Sequence, residues 1–306
     1  MSKILKRVLA VTMVVGLTAC GSGEADNVTS KPAENAEENA SSEAAADTTA
    51  AETVQTSNYE FPETAIVDND QVSFIIKSIK NDGKDYEWTV YLENKTDLNL
   101  MYTIDEVSVN DFMSDPFWAR SVSGGMKANE VISWYGLSND GVKLPVTTTE
   151  FRLKIYDDDD WMADKLVDDV FTIAPMGEDQ VMTYEREAQD GDVVLIDNET
   201  CTITAIGVDS EGFYGYEVDL YLVNKTDVPL MFSVDGVSVN GFMCDPFWAS
   251  SVTAGKKEIT SMSFSSSDFE TNGIETVEVI TLPFTVSNYE TYDHLIEETV
   301  ELHPNA

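Results

Sequence analysis

From about residue 60 onward, apolar and polar positions alternate along much of the chain, the period-two signature of strands with one buried face. Trp88, Val90 and Leu92 alternate with Glu87, Thr89 and Glu93, and Val218, Leu220 and Leu222 repeat the pattern 130 residues later. The next strand is predicted at Leu100, Tyr102 and Ile104, matched by Leu230, Phe232 and Val234, with a polar Asn-Lys-Thr-Asp turn before it in both places. Further strands are predicted at Ile132 and Trp134 (Met262 and Phe264), at Phe151, Leu153 and Ile155 (Ile280, Leu282 and Phe284), and at Phe171 and Ile173 (Val300 and Leu302). At the front, Val72, Phe74 and Ile76 keep one phase that Ile79 breaks, and Cys201, Ile203, Ala205 and Val208 break at the same place; the shared slip predicts a β-bulge. Asp235-Gly236 predicts a tight hairpin, encoded less well as Asp105-Glu106 in the first copy. Trp161, Ala163 and Leu166 (Leu295 in the second copy) predict a helical turn before the closing strand.

These paired patterns belong to an internal repeat. Residues 86–125 and 216–255 are identical at 25 of 40 positions without a gap. The wider units, 66–173 and 195–302, are each 108 residues long, which fits one complete unit duplicated once. A unit of ~100 residues suits one small core. Seven or so short strands per unit, half-buried and separated by turns, predict an all-β chain of two tandem antiparallel immunoglobulin-like β-sandwiches. The expected spans are 59–175 for the first module, 176–194 for an acidic connector and 195–303 for the second module.

The start of the chain is of another kind. Lys3, Lys6 and Arg7 precede a short apolar run at 8–17, then Leu17-Thr18-Ala19-Cys20, which together predict a secretory signal at 1–19 ending in a lipobox. A membrane-spanning helix needs ~20 apolar residues, more than this run offers. Residues 20–58 are mostly Ala, Glu, Thr, Ser, Asn, Asp and Gly, the composition of a disordered acidic tether. The whole chain carries a formal charge of −38. Removing 1–19 takes away three basic and no acidic residues, leaving 15 Lys and Arg against 56 Asp and Glu. Such a surface repels nucleic acid and favours cations, cationic peptides or basic proteins, although solubility alone also explains it.

The lipobox, the tether and the shared Asn-Lys-Thr-Asp, Val-Ser-Val-Asn and Asp-Pro-Phe-Trp-Ala segments resemble uncharacterised Gram-positive lipoproteins of clostridial type, whose modules are immunoglobulin-like domains of unknown function. The resemblance implies that Cys20 is diacylated, becomes the mature N-terminus and holds the chain to the outer face of the cell membrane. It supplies no catalytic residue, and no cofactor is expected.

Divergence between the repeats is uneven. Across 66–80 against 195–209 two of 15 positions agree, and across 150–173 against 279–302 three of 24, so change has been resisted at the centre. That centre offers a candidate binding patch: Phe112, Met113, Asp115, Phe117 and Trp118, with Phe242, Met243, Asp245, Phe247 and Trp248 in the second copy. Aromatic and Met side chains beside an acid suit partner recognition, but the same residues suit the plug at the end of a β-sandwich. Exposure of at least one ring per repeat separates the two readings.

Cys201 and Cys244 are both absent from the first repeat, where Val72 and Ser114 stand, which fits either a disulfide or two independent buried thiols. Asp157-Asp158-Asp159-Asp160 lacks the spacing of a calcium loop and reads as a solvated acidic turn, so no metal is expected. The two histidines, His294 and His303, lie near the C-terminus, and no nucleophile, zinc or phosphate-loop motif accompanies them. The expectation is therefore a non-enzymatic, membrane-tethered binding or envelope-assembly protein, with an envelope protein or cationic ligand as partner. A cation- or small-ligand-binding accessory subunit of a transporter is the alternative, and it predicts a deep pocket at the junction near residues 174–194. A purely structural spacer predicts no pocket.

Overall fold

A computed structural model describes residues 60–304 except residue 214. The signal segment 1–19, Cys20 and the tether 20–58 lie outside the described residues.

The first repeat forms nine strands: β1 (Thr64–Asp68), β2 (Val72–Asn81), β3 (Tyr86–Asn94), β4 (Leu100–Val109), β5 (Phe112–Met113), β6 (Ala119–Val122), β7 (Lys127–Trp134), β8 (Thr149–Asp157) and β9 (Val167–Ile173). The second forms β10 (Val193–Asp197), β11 (Cys201–Gly212), β12 (Gly215–Asn224), β13 (Leu230–Val234), β14 (Ser238–Val239), β15 (Phe242–Met243), β16 (Ala249–Val252) and β17 (Lys257–Ser265). A helix, α1 (Ser266–Asn272), then precedes β18 (Ile280–Asn288) and β19 (His294–Leu302). The chain is all-β with antiparallel sheets, as the alternation predicts.

The strands assemble into three sheets. One holds β1-β2-β3-β7. A six-stranded sheet runs β15-β14-β18-β13-β16, with β19 on β18. The nine-stranded sheet runs β10-β11-β12-β17-β5-β4-β8-β9, with β6 on β4. This last sheet crosses the boundary between repeats through a parallel pairing of Lys257 in β17 with Phe112 in β5. The described residues fall in one compact unit.

Buried apolar residues gather in two clusters. The first combines Phe74, Trp88, Leu92 and Ile132, from the four-stranded sheet, with Tyr102, Ile104, Phe151 and Leu153 from the nine-stranded one. The second combines Ile203, Val218, Leu220 and Met262 with Phe232, Leu282, Phe284 and Val286. Alternation dictates this: in β3 every second residue from Tyr86 to Asn94 is buried, and each large side chain taken out of water contributes about 1.5–3 kcal/mol. Polar residues close the ends. Asn94 donates from Nδ2 to the Leu98 and Val122 carbonyls, and Asn224 does the same to Val228 and Val252.

The predicted bulge is present in both copies, with the register slipping between Ile76 and Ser78 and between Ala205 and Gly207. The hairpin expected at Asp235-Gly236 and Asp105-Glu106 is not. Val234 pairs with Phe284 and Ser238 with Thr281, so the strand continues in one direction past the glycine. In the first copy β4 runs through Asp105 with only a register shift before Ser108, and Glu106 takes φ 50. The tight hairpin lies five residues on, where Val109 faces Phe112 and Val239 faces Phe242. Its two turn residues are left-handed: Asn110 and Asp111 at φ 50 and 68, Asn240 and Gly241 at 51 and 84. Asn-Gly is the strongest short hairpin signal, and it stands there in the second copy.

Two further expectations need correction. Residues 161–166 form no helix, and Leu295 lies in β19. The helix is α1 instead, where Ser265 accepts from the Ser267 amide as N-cap. The pairing of Phe151 with Ile280 is also shifted. Ile104 faces Leu153 and Val234 faces Phe284, so β18 matches β8 two residues later than the ungapped comparison has it.

Candidate functional site

In the first repeat the Asn110-Asp111 turn sends β5 back along β4, and this places Phe112 at the boundary between repeats. Phe112 is 2% exposed. It stacks on Tyr221 with ring centroids 6.3 Å apart, and Lys257 Nζ lies 5.8 Å over its face. The backbone approaches as closely at Gly141, where a Cβ would sit 2.7 Å from Ile259 Cδ1 and 3.0 Å from Phe112. Lys256 Nζ reaches Asp111 at 3.0 Å, Lys257 Nζ reaches Glu185 at 2.9 Å, and Thr253 donates to the Met113 sulfur at 3.3 Å.

After β5 the chain turns through Ser114, Asp115, Pro116 and Phe117. Asp115 Oδ1 accepts from the Phe117 amide at 2.6 Å, holding Phe117 at φ 52 with its ring turned to solvent. Phe117 is 94% exposed, and its counterpart Phe247 is 97% exposed. The tryptophans behave oppositely. Trp118 meets Phe74 edge-on at 6.1 Å and packs on the first core, and Trp248 meets Phe284 in the same way and is buried in the second. The patch therefore splits in both repeats: the Trp rings belong to the cores and the Phe rings before them face outward. Asp245 differs from Asp115, accepting from the Val237 amide at 2.8 Å. Phe242 and Met243 are exposed, unlike Phe112.

Between the repeats lies a cavity of about 510 Å³. Met113, Asp115 and Phe117 line it from the first repeat with Tyr135 and Asp140, and Ser250, Glu258, Ile259 and Tyr289 line it from the second. Among the described residues, none that lines it is Lys, Arg or His. Glu106 also reaches it but is paired with Arg152 at 2.9 Å.

The remaining carboxyls feel the enclosure. Burial pushes Glu258 up to about 7 from its ordinary 4.5, the hydrogen bond from the Ser250 hydroxyl opposes the rise, and the charge of Asp140 adds to it. Burial also raises Asp140, against a hydrogen bond of 2.6 Å from the Ser114 hydroxyl. Asp115 is raised by burial, against its bond from Phe117 and with a contribution from Asp105. Three acids shifted upward to different degrees, Glu258 furthest, thus share one space edged by largely exposed aromatic rings. Ser114 is anchored in turn, its carbonyl accepting from Trp134 Nε1 at 3.0 Å.

A second cavity, about 220 Å³, lies against the connector and is lined by Tyr184, Glu185, Arg186 and Gln189. The larger cavity is at the junction but away from residues 174–194, where the transporter-subunit alternative would have it.

Cys201 and Cys244 are both free and buried, so the bridge is not formed. Cys201 faces Asn224 at one end of β12. Cys244 sits by Asn272 of α1, whose Phe269 packs on Tyr216 near the other end, so most of that strand separates the thiols. Burial raises both thiols. In the acidic run, Asp157 and Asp160 cap amides of their own turn and Asp158 accepts from Ser121. Among the described residues no group of three or more His, Cys, Asp or Glu is arranged to hold a metal ion. His294 contacts Glu297 and His303 the Glu278 carbonyl, both at the surface. No described helix is long and apolar enough to cross a membrane.

Asp140, Glu258 and the Asn-Gly hairpin escape the sequence reading. The hairpin had a signal in Asn240-Gly241. The two acids had none, because 118 positions separate them and they occupy no equivalent places in the repeats.

No family model matches the chain, and no curated protein compared with it does. Solved structures similar to it include the YadV chaperone, at 15% identity and a TM-score of 0.23 over 71% of this chain and 92% of that one. Another is a protein of unknown function from Porphyromonas gingivalis W83, at 10% identity and a TM-score of 0.19 over 79% of this chain and all of the other. Likenesses this low carry no argument about what the chain does.

Proposed function

We propose that this chain is a non-catalytic, extracytoplasmic lipoprotein, held to the membrane through Cys20, whose two immunoglobulin-like sandwiches bind a cationic group in the cavity between them. The lipobox residues 17–20 and the tether composition support the anchoring. Two sets of inward-facing strands, each around its own core, support the paired sandwiches.

The observation that carries the ligand class is the junction cavity: Asp115, Asp140 and Glu258 without a lining cation, edged by Phe117, Tyr135 and Tyr289. A cation on an apolar stem, as in a Lys or Arg side chain of a partner protein, answers each feature. Its charge favours the ionised form of the acids, Glu258 above all, and its flat or methylene surface lies against the rings. A cavity of this size also takes a free organic amine, the form in which a small-ligand receptor would use it.

The chain with Cys20→Ala, titrated with a short peptide carrying one central Arg, is expected to bind it and to ignore the same peptide with uncharged citrulline in that place. Equal binding of the two peptides contradicts the ligand class. Cadaverine binding as tightly as the Arg peptide would favour a free amine over a protein partner. Membrane fractionation tests the anchor: the unaltered chain is expected with membranes and Cys20→Ala in the soluble fraction.

A further inference from the structure

The two repeats present the same hairpin edge, and among the described residues only one of the two is covered. In the first repeat Phe112 is 2% exposed because β17 of the second repeat pairs with β5 and Tyr221 stacks on its ring. In the second repeat β15 is the terminal strand of its sheet, with Phe242 46% and Met243 63% exposed. The hairpin is braced alike in both: Asn110 Nδ2 donates to the Lys143 carbonyl and Asn240 Nδ2 to the Thr276 carbonyl, each at 2.7 Å. The open edge is thus held by the same asparagine brace as the occupied one.

The occupied edge also shows what chemistry fits. Its occupant offers an aromatic face at Tyr221, aliphatic side chains at Ile206, Val223 and Ile259, and a strand end at Lys257. A second copy of this chain does not offer the same. On the first repeat the matching positions are Tyr91, Lys77, Glu93, Asn129 and Lys127. There Lys77 and Lys127 lie 5.4 and 5.9 Å over the Tyr91 ring, and Lys127 pairs with Glu93 at 3.2 Å. Covering that charged face would strip water from its ions without return. The acids that hold Lys256, Asp111 and Glu150, are replaced at the open edge by Gly241 and Thr281 in the strand register, so the missing occupant needs no lysine there.

We propose that the Phe242–Met243 edge is a docking strand for a separate protein that presents an antiparallel-sheet edge of the β17 kind: aromatic and branched aliphatic side chains, with no acidic clamp to satisfy. The chain closes its own sheet at one repeat and offers the same edge outward at the other, where an edge strand with one open side and apolar side chains recruits another sheet. This site is separate from the junction cavity.

A defined probe is the chain itself with Lys77→Ile, Glu93→Val and Asn129→Ile, which writes the acceptor face onto the first repeat, plus Phe242→Glu to prevent stacking on itself. Sedimentation of this probe with the unaltered chain is expected to show a 1:1 complex. Phe242→Glu or Met243→Glu in the unaltered chain should weaken it at least about tenfold. Folded partners, verified by circular dichroism, that remain separate at roughly 100 µM overturn the proposal. So does a complex insensitive to both substitutions, which would place the contact elsewhere. Self-association of the unaltered chain that is lost with Phe242→Glu would make a second copy the occupant and overturn the assignment to a separate protein.

Discussion

The aromatic pair in Asp-Pro-Phe-Trp divides its labour between adjacent residues. Trp118 and Trp248 pack on Phe74 and Phe284, so Trp248→Ala should cost about 3–5 kcal/mol in chemical denaturation. Phe117→Ala should leave stability within about 0.5 kcal/mol, because the ring it removes is already in solvent. Substituting the tryptophans would therefore confuse unfolding with lost binding, whereas the phenylalanines separate the two. Glu258 is the carboxyl with the largest shift and contributes a pH dependence of its own. Its carboxyl holds a proton up to about 7 in the folded chain and to the ordinary 4.5 when unfolded, so the folded state binds more protons and stability falls as pH rises between those values. Glu258→Gln removes that loss. Its stability relative to the unaltered chain should grow from pH 4.5 to pH 7 by on the order of 3 kcal/mol, measured by denaturant titration at each pH. A difference that stays flat with pH would show that Glu258 is not held protonated.

At the scale of elements, the β5 and β15 hairpins depend on two left-handed turn residues each. Gly241→Val places a β-branched residue at φ 84 and should cost about 1–3 kcal/mol, seen in the denaturation midpoint. Most of the strands were legible in the sequence because one face of each is buried, and period-two alternation reports that burial directly: Trp88, Val90 and Leu92 need no other argument. The shared bulge was legible for the same reason, as a slip of phase. The hairpin was misplaced because Asp235-Gly236 and Asn240-Gly241 are both turn-like, and only pairing with β18 shows that the strand runs through the first and reverses at the second. Helix α1 was missed because seven residues with none buried leave no apolar period to read. The two-residue offset of β18 was hidden because it preserves alternation.

At the scale of the molecule, the repeats are joined by one continuous sheet and by the ring of Phe112. Phe112→Ala should weaken this joint far more than Phe242→Ala, which acts on an open edge; heating should then resolve two transitions where the unaltered chain shows one. The candidate site belongs to this scale and was not legible for that reason. Asp140 and Glu258 become neighbours only once the repeats dock, and no spacing within one repeat announces it. The most direct test is calorimetric titration of the Arg-centred peptide into the Cys20→Ala chain, with and without Asp140→Asn and Glu258→Gln, at pH 6 and pH 8. A cation-binding cavity predicts tighter binding at pH 8, where Glu258 ionises, and at that pH roughly tenfold weakening by either substitution. Affinity that is unchanged by both substitutions and by pH would contradict it.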